Sequence, residues 1–334
     1  MPSLTRDSQR IVIAGASSLL GAELRSLLEE SRFAAADFRL FDEEVAAGTL
    51  TEAGGEAAVV QPVEEGSFDR AGVVFFTGST DFARANLTAA RAAGGKVIDL
   101  SGAAIAQQDA ATWFPKLDAL QGRAFPAGRG LFAIPSAAAT AAASLAMGLA
   151  KLRAAQLMFL SFQSVSEAGR PGIEELESQT GQLLSFQGVG QPVFDTQVAF
   201  NLLDRFGPQS VQNLNAVRTR LHAESKACVG DKVAVPAVQV LHAPVFYGAA
   251  FAACAELPAG TTAEHVENAC QEAGFLIPPD DSGPSNVSVA GEKALHLAKP
   301  TADPGRRGTW WFWGAADNIR LPAANAVKLA EMLL

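Results

Sequence analysis

The first 135 positions alternate between two hydrophobic periods. Arg10–Gly15 (RIVIAG) is a short unbroken apolar run closed by glycine, the pattern of a strand buried on both faces. In the SSLLGAELRSLLEE that follows, Leu20, Leu24, Leu27 and Leu28 recur at helical spacing with charges between them. Phe38–Phe41, Val73–Thr77 and Lys96–Leu100 read as further strands, and the alanine-rich Asp81–Ala93 reads as a helix between the last two. Strand and helix in turn predict a parallel sheet covered on both faces.

The pattern changes after Pro135. The alanine-rich run 137–150 is too short and too weakly apolar for a membrane span and reads as a buried helix. Leu157–Val165 and Ala234–Val245 are strand-like, and Phe246–Cys254 continues the second of these. Gly172–Leu184 and Thr262–Ala273 read as helices, and Pro278–Pro284 as an exposed loop. Ala315–Leu334 reads as a final amphipathic helix that returns to the first domain. The expected fold is α/β: residues 1–135 with 315–334 as a Rossmann-like domain, and 136–314 as an α+β domain with a mostly antiparallel sheet.

Composition narrows the function classes. With 334 residues, 49% of them hydrophobic and 18% charged, the chain has enough apolar surface for two cores. A net charge of −9 without a dense Lys/Arg patch argues against nucleic acid and against anionic membranes. Cys228, Cys254 and Cys270 have no metal or redox spacing, and the N-terminal MPSLTRDSQR is polar; the expected setting is the cytoplasm.

Candidate chemistry begins at the first strand. Strand, then Gly15-Ala-Ser17-Ser18-Leu19-Leu20-Gly21, then helix is the geometry of a phosphate-binding turn, or of a structural βα turn that binds nothing. Ser18 stands where a glycine would let a pyrophosphate approach. Asp42-Glu43-Glu44 after the second strand suits a ribose 2′-hydroxyl and repels a 2′-phosphate, so NAD is favoured over NADP if either binds; a solvated acidic loop has the same sequence. Short-chain dehydrogenase chemistry fails, because the only tyrosine is Tyr247 and Phe251 stands where its lysine would be. His222, His242, His265 and His296 have no metal spacing, and a Cys228–His222 pair is a weak candidate beside two ordinary helix residues.

Taken together, the motifs resemble the aspartate-semialdehyde dehydrogenase family over nearly the whole chain. Gly15–Gly21 stands for G-A-T-G-x-V-G, FFTGS (Phe75–Ser79, with Gly78) for F-x-A-G-x, and VIDLSGA (Val97–Ala103) for V-I-D-x-S-S-A. FQSVSEAGRPGIEEL (Phe162–Leu176), QVAFNLL (Gln197–Leu203), PVFYG (Pro244–Gly248) and DNIRLPAANAVKLAE (Asp317–Glu331) complete the series. The resemblance implies a homodimer in which a cysteine thiolate attacks an aldehyde, a hydride leaves to NADP and phosphate releases the acyl group. It also implies a histidine base and arginines that hold the anions.

This chain departs from that pattern at each chemical position. Ala137 stands for the nucleophile, Ala249 for the base, His242 for the substrate arginine and Ile105 for the phosphate arginine. The family's Glu and Lys before E-T-x-K-I fall near Ser210 and Asn213, and its 2′-phosphate arginine near Val45. Gln163 is retained. Ser136 and Thr140 lie close by, but no base adjoins them in sequence. Gly15, Ser17, Ser18, Leu19, Leu20, Gly21, Gly78 and Asn318 would be vestigial cofactor contacts.

The chain therefore resembles the family's inactive, Usg-type relatives, and the expectation is a dimeric pseudoenzyme with no assured cofactor and no metal. Two alternatives stand beside it. One is an active semialdehyde dehydrogenase of amino-acid biosynthesis with relocated catalytic groups. The other is a dinucleotide-sensing regulatory or interaction protein with a further protein partner.

Overall fold

The computed structural model describes residues 9–46, 48, 50–53, 56–280 and 282–334, with only the backbone at 45, 51–53, 56 and 57. Val45, one of the sequence candidates, thus has a side chain outside the described residues, as does Asp281 of the 278–284 loop. The chain divides into two compact units: Met1–Phe114, Phe125–Ile134 and Pro322–Leu334 form the first, and Pro115–Ala124 with Pro135–Leu321 the second.

In the first unit, β1 (Arg10–Ala14), α1 (Leu19–Glu29), β2 (Asp37–Asp42), the β3–β4 hairpin (Leu50–Ala53, Glu56–Val59) and β5 (Gln61–Pro62) lead to β6 (Ala71–Phe76). Then come α2 (Thr80–Ala92), β7 (Lys96–Asp99), β8 (Ala111–Thr112) and β9 (Leu131–Ala133). The order β5-β2-β1-β6-β7-β9-β8 is parallel throughout. Ile11 and Ile13 enter one core with Leu24, Phe75 and the C-terminal Ala326 and Leu329. Val12 and Ala14 enter another with Phe76, Ala83 and Leu87. Both faces of β1 are thus covered, which is why its sequence is an uninterrupted apolar run.

The second unit holds α3 (Leu117–Gln121), α4 (Ala137–Ala150), β10 (Gln156–Gln163), α5 (Gly169–Leu184), α6 (Leu214–Val229), β11 (Ala237–His242), β12 (Ala249–Glu256) and α7 (Ala263–Glu272). It ends with β13 (Phe275–Leu276), β14 (Leu295–Leu297), β15 (Thr301–Ala302) and β16 (Thr309–Ala316). The sheet runs β11-β10-β12-β16-β14-β13 and is mixed: β10–β11 and β13–β14 are parallel pairs, and the other pairs are antiparallel. Residues 234–254, read from sequence as one continuing strand, are two strands on opposite sides of β10. Pro244 lacks a ladder donor and Gly248 takes φ +97°, so the chain breaks between them. Residues 315–316, read as the start of the last helix, instead close β16; the helix begins at Arg320.

Candidate functional site

The βα turn of the first unit is built by close backbone contact. A Cβ on Gly15, whose φ is +96°, would lie 2.0 Å from the amide nitrogen of Gly78, and one on Gly21 would lie 2.4 Å from the Gly15 carbonyl oxygen. These glycines let the first turn, the β6–α2 loop and the start of α1 pack together. Ser18 turns its hydroxyl back onto the backbone of the turn. Its Oγ accepts from the Gly21 N–H at 2.9 Å as the α1 N-cap and donates toward the Gly15 and Thr77 carbonyls at 2.8 and 2.9 Å. Leu19 and Leu20 open α1, half-buried. The buried Asp42 carboxylate accepts from the Ser17 N–H at 2.7 Å and from the Glu43 N–H at 2.8 Å. Ser79, the α2 N-cap, donates to Glu43 Oε1 at 2.7 Å.

Ile105 follows a loop wound around the fully buried Asp99, which accepts from the Ser101 and Ala104 N–H groups. Its side chain leans on the apolar cluster of Val97 and Ala104, so an aliphatic wall occupies the phosphate-arginine position.

In the second unit, strand register brings three of the sequence candidates side by side. Gln163 ends β10 opposite His242 on β11 and opposite Ala249 on β12. Ala137, the first residue of α4, joins Ala249 in one hydrophobic cluster. Both alanines, which motif spacing aligns with the family's nucleophile and base, are buried there. His242 is fully buried beside Phe194 and Phe206, at 6.2 and 5.5 Å between ring centroids. Its Nε2 donates to the Val198 carbonyl at 3.2 Å while Nδ1 has no partner. Burial lowers its pKa, against the pull of that hydrogen bond, so the ring is held neutral.

A cavity of about 140 Å³ opens here, lined by Ser136, Gln163, Glu167, Arg220, Gly248 and Ala249 among others. Three of its determinants were not legible in the sequence. Glu224, on α6 and almost wholly buried, accepts from the Ser136 N–H at 3.1 Å and the Ser136 hydroxyl at 2.6 Å. Arg220, one turn earlier on the same helix, donates its Nε–H to Glu224 Oε1 at 2.7 Å. The acidic neighbour that Ser136 lacks in sequence is supplied in space by a residue 88 positions away. An Arg-x-x-x-Glu spacing on an amphipathic helix was the only available signal.

Glu167 faces the cavity, and its Oε1 accepts from Asn318 Nδ2 at 2.9 Å. The residue keeps an exposed surface, yet the protein packed around its carboxyl raises its pKa by desolvation, opposed by the Asn318 amide and Arg220 and assisted by Glu224. Asn318 is spent inside the unit, because its Oδ1 also accepts from the Gly248 N–H at 2.7 Å and its Nδ2 also donates to Ser166.

Other sequence candidates lie elsewhere. Ser210 donates to the Val193 carbonyl and Asn213 caps α6; the residues of this stretch that reach the cavity are Gln212, Val217, Arg220 and Leu221. Thr140 spends its hydroxyl on the Ser136 carbonyl. His222 is exposed, whereas Cys228 is buried with its thiol pushed well up by burial and by Glu224, so they form no catalytic pair.

Comparison with known proteins agrees with this architecture. The family model for the semialdehyde dehydrogenase NAD binding domain matches residues 10–122, and that for the semialdehyde dehydrogenase dimerisation domain matches residues 148–321. A protein of Pseudomonas aeruginosa named USG-1 protein homolog is 30% identical over 332 residues, 97% of each chain. An aspartate-semialdehyde dehydrogenase of Rickettsia bellii is 24% identical over 97% of each chain. Among solved structures, a probable aspartate-semialdehyde dehydrogenase from Pseudomonas aeruginosa superposes with a TM-score of 0.84 at 28% identity over 98% of each chain. Aspartate semialdehyde dehydrogenase II from Vibrio cholerae gives 0.85 at 24%, also over 98% of each chain, a likeness of fold. With both domains matched in order and relatives of either name spanning its length, the chain belongs to the semialdehyde dehydrogenase family, with USG-1-type proteins among its relatives.

Proposed function

We propose that this protein is a dimeric member of the family that has lost aldehyde oxidation. The observation that carries the reading is the pair of buried alanines, Ala137 and Ala249, in one hydrophobic cluster, with Ala249 opposite Gln163 in the sheet. An alanine at the first position forms no thioester and one at the second moves no proton. The two anion positions agree: His242 is turned into an aromatic nest and Ile105 is aliphatic. Aspartate semialdehyde with phosphate and NADP or NAD should show no turnover above about 1 per second, the low end of ordinary enzymes. Turnover at that rate would restore the reading suggested by the relatives named aspartate-semialdehyde dehydrogenase, a biosynthetic oxidoreductase.

A second reading, a dinucleotide-sensing protein, is favoured by the glycine-packed turn of the first unit. In that case Asp42 and Glu43 at the end of β2 favour NAD, because a 2′-phosphate would meet two carboxylates. Calorimetry should find NAD bound no more weakly than NADP; submicromolar NADP affinity contradicts this.

The dimer rests on the sheet of the second unit. Phe159, Phe251, Ala253 and Phe312 point into the core, while Met158, Trp311 and Trp313 in the alternate register stay exposed. An apolar outer face on a sheet whose other face is already covered suits an isologous contact with a second copy. Among the described residues no helix is long and apolar enough to cross a membrane.

A further inference from the structure

We propose that Ser136 is a nucleophile in its own right, and that its cavity takes a short-chain activated acyl compound, an ester or thioester, and hydrolyses it. The inference goes beyond the loss of aldehyde oxidation and needs no nucleotide. Three observations carry it. Ser136 lines the cavity, and its hydroxyl donates to the Glu224 carboxylate at 2.6 Å. That carboxylate is almost wholly buried and is oriented by Arg220 on its other oxygen, so nucleophile, base and orienting group form a connected chain. The volume, about 140 Å³, with Phe162, Val217, Leu221 and Val240 as apolar walls, suits an acyl group of a few carbons.

A serine that only capped α4 would need just to accept from the helix. Here the contact from the Ala139 N–H is 3.3 Å, longer than the bond the hydroxyl donates to Glu224. The N–H groups of Ala137 and Ala138 open the helix, where no intrahelical acceptor exists, and Ala138 lines the same cavity. In this proposal they receive the developing oxyanion. The Gln163 amide, with no protein hydrogen bond among the described residues, borders the same space and can hold the acyl compound.

In the first step Ser136 Oγ bonds to the acyl carbon, its proton passes to Glu224 Oε2 and the carbonyl π pair moves onto oxygen. Collapse breaks the carbon–oxygen or carbon–sulfur bond, and the departing alcohol or thiol takes the proton from Glu224. Water then attacks the acyl-serine with Glu224 again accepting and returning a proton. The carboxylic acid leaves and Ser136 is restored, with nothing oxidised or reduced.

The test treats the full chain, without nucleotide or phosphate, with p-nitrophenyl acetate and in a second arm with S-acetyl-N-acetylcysteamine. Acid-quenched peptide mass spectrometry should find one acetyl group on Ser136. Release of nitrophenolate or thiol should fall by about 100-fold or more in Ser136→Ala and in Glu224→Gln. Circular dichroism establishes that each variant is folded; if Glu224→Gln is not, Ser136→Ala and the labelled position decide alone. Preference between the two arms tells ester from thioester. Equal release by wild type and Ser136→Ala, acetyl found on lysine, histidine or cysteine instead, or no acetylation by either probe overturns the proposal.

Discussion

Glu167 shows how one residue ties stability to pH. Partial desolvation at the cavity wall raises its pKa above the ordinary glutamate value, an effect that solvent screening keeps small because the residue is exposed. The folded protein therefore keeps this proton to higher pH than the unfolded chain does. Its contribution to stability is full below the unfolded pKa and is lost as pH rises through the folded one. Glu167→Gln removes that dependence, so the variant's melting temperature relative to wild type should be more favourable at about pH 7 than at about pH 4. An unchanged difference between those two conditions would mean that the carboxyl is not desolvated. His242 has the opposite sense: its folded pKa is depressed by burial, so its contribution is present above the unfolded pKa of about 6.5 and lost on acidification. In thermal melts His242→Leu should lose less stability than wild type between about pH 7 and pH 5. At Ala137 the expectation concerns rate: Ala137→Cys alone leaves the thiol without a base at Ala249, and semialdehyde oxidation should stay several orders of magnitude below ordinary turnover. Motif spacing alone assigns alanines 137 and 249 to the nucleophile and base positions, and their burial is what the structure adds. Glu224 and Arg220 were not, because only the packing of α6 brings them to Ser136.

At the scale of elements, strands with buried faces and strongly periodic helices were legible from their runs. β1, β2, β6, β7, α2 and α4 lie within a few residues of where apolar periodicity puts them. What failed were breaks set by tertiary pairing: apolar residues flank Pro244 and Gly248 on both sides, so the composition does not say that β11 and β12 part around β10. The WWFWGAA of β16 was likewise overlooked in favour of the helix after it. Ser18 is the element-scale surprise. Read from sequence only as a side chain in the turn, it also caps a helix, with its hydroxyl engaged by Gly15, Gly21 and Thr77. Ser18→Ala should therefore destabilise the first unit by about 1 kcal/mol, the usual value of an N-cap, while Ser18→Gly should cost only a few tenths. Denaturant titration of both variants checks the difference; equal losses would show that the hydroxyl caps nothing.

The whole molecule poses the question of what covers the outer sheet face. Along β10 and β16 the side chains alternate cleanly: Phe159 and Phe312 are buried, while Met158, Trp311 and Trp313 remain 47, 46 and 40% exposed. The indole N–H of Trp311 already donates to Asp303 and that of Trp313 to the Pro284 carbonyl. Their polar edges are thus satisfied within the chain, and what remains toward solvent is ring surface. Large rings held in place this way lose little entropy on docking, which makes them strong anchors. A second copy presenting the same strands would cover them, burying on the order of 2,000 Å² or more if the contact is obligate. The apolar runs of β10 and β12 already hinted at this face from sequence, although its two tryptophans lie on the strand that sequence reading passed over. Trp311→Glu combined with Trp313→Glu leaves the core side of β16 untouched, so secondary structure should persist by circular dichroism. Sedimentation at micromolar concentration should then find dimers for wild type and monomers for the double variant. A wild-type monomer, or a double variant that stays dimeric, would mean that the copies do not meet through this face.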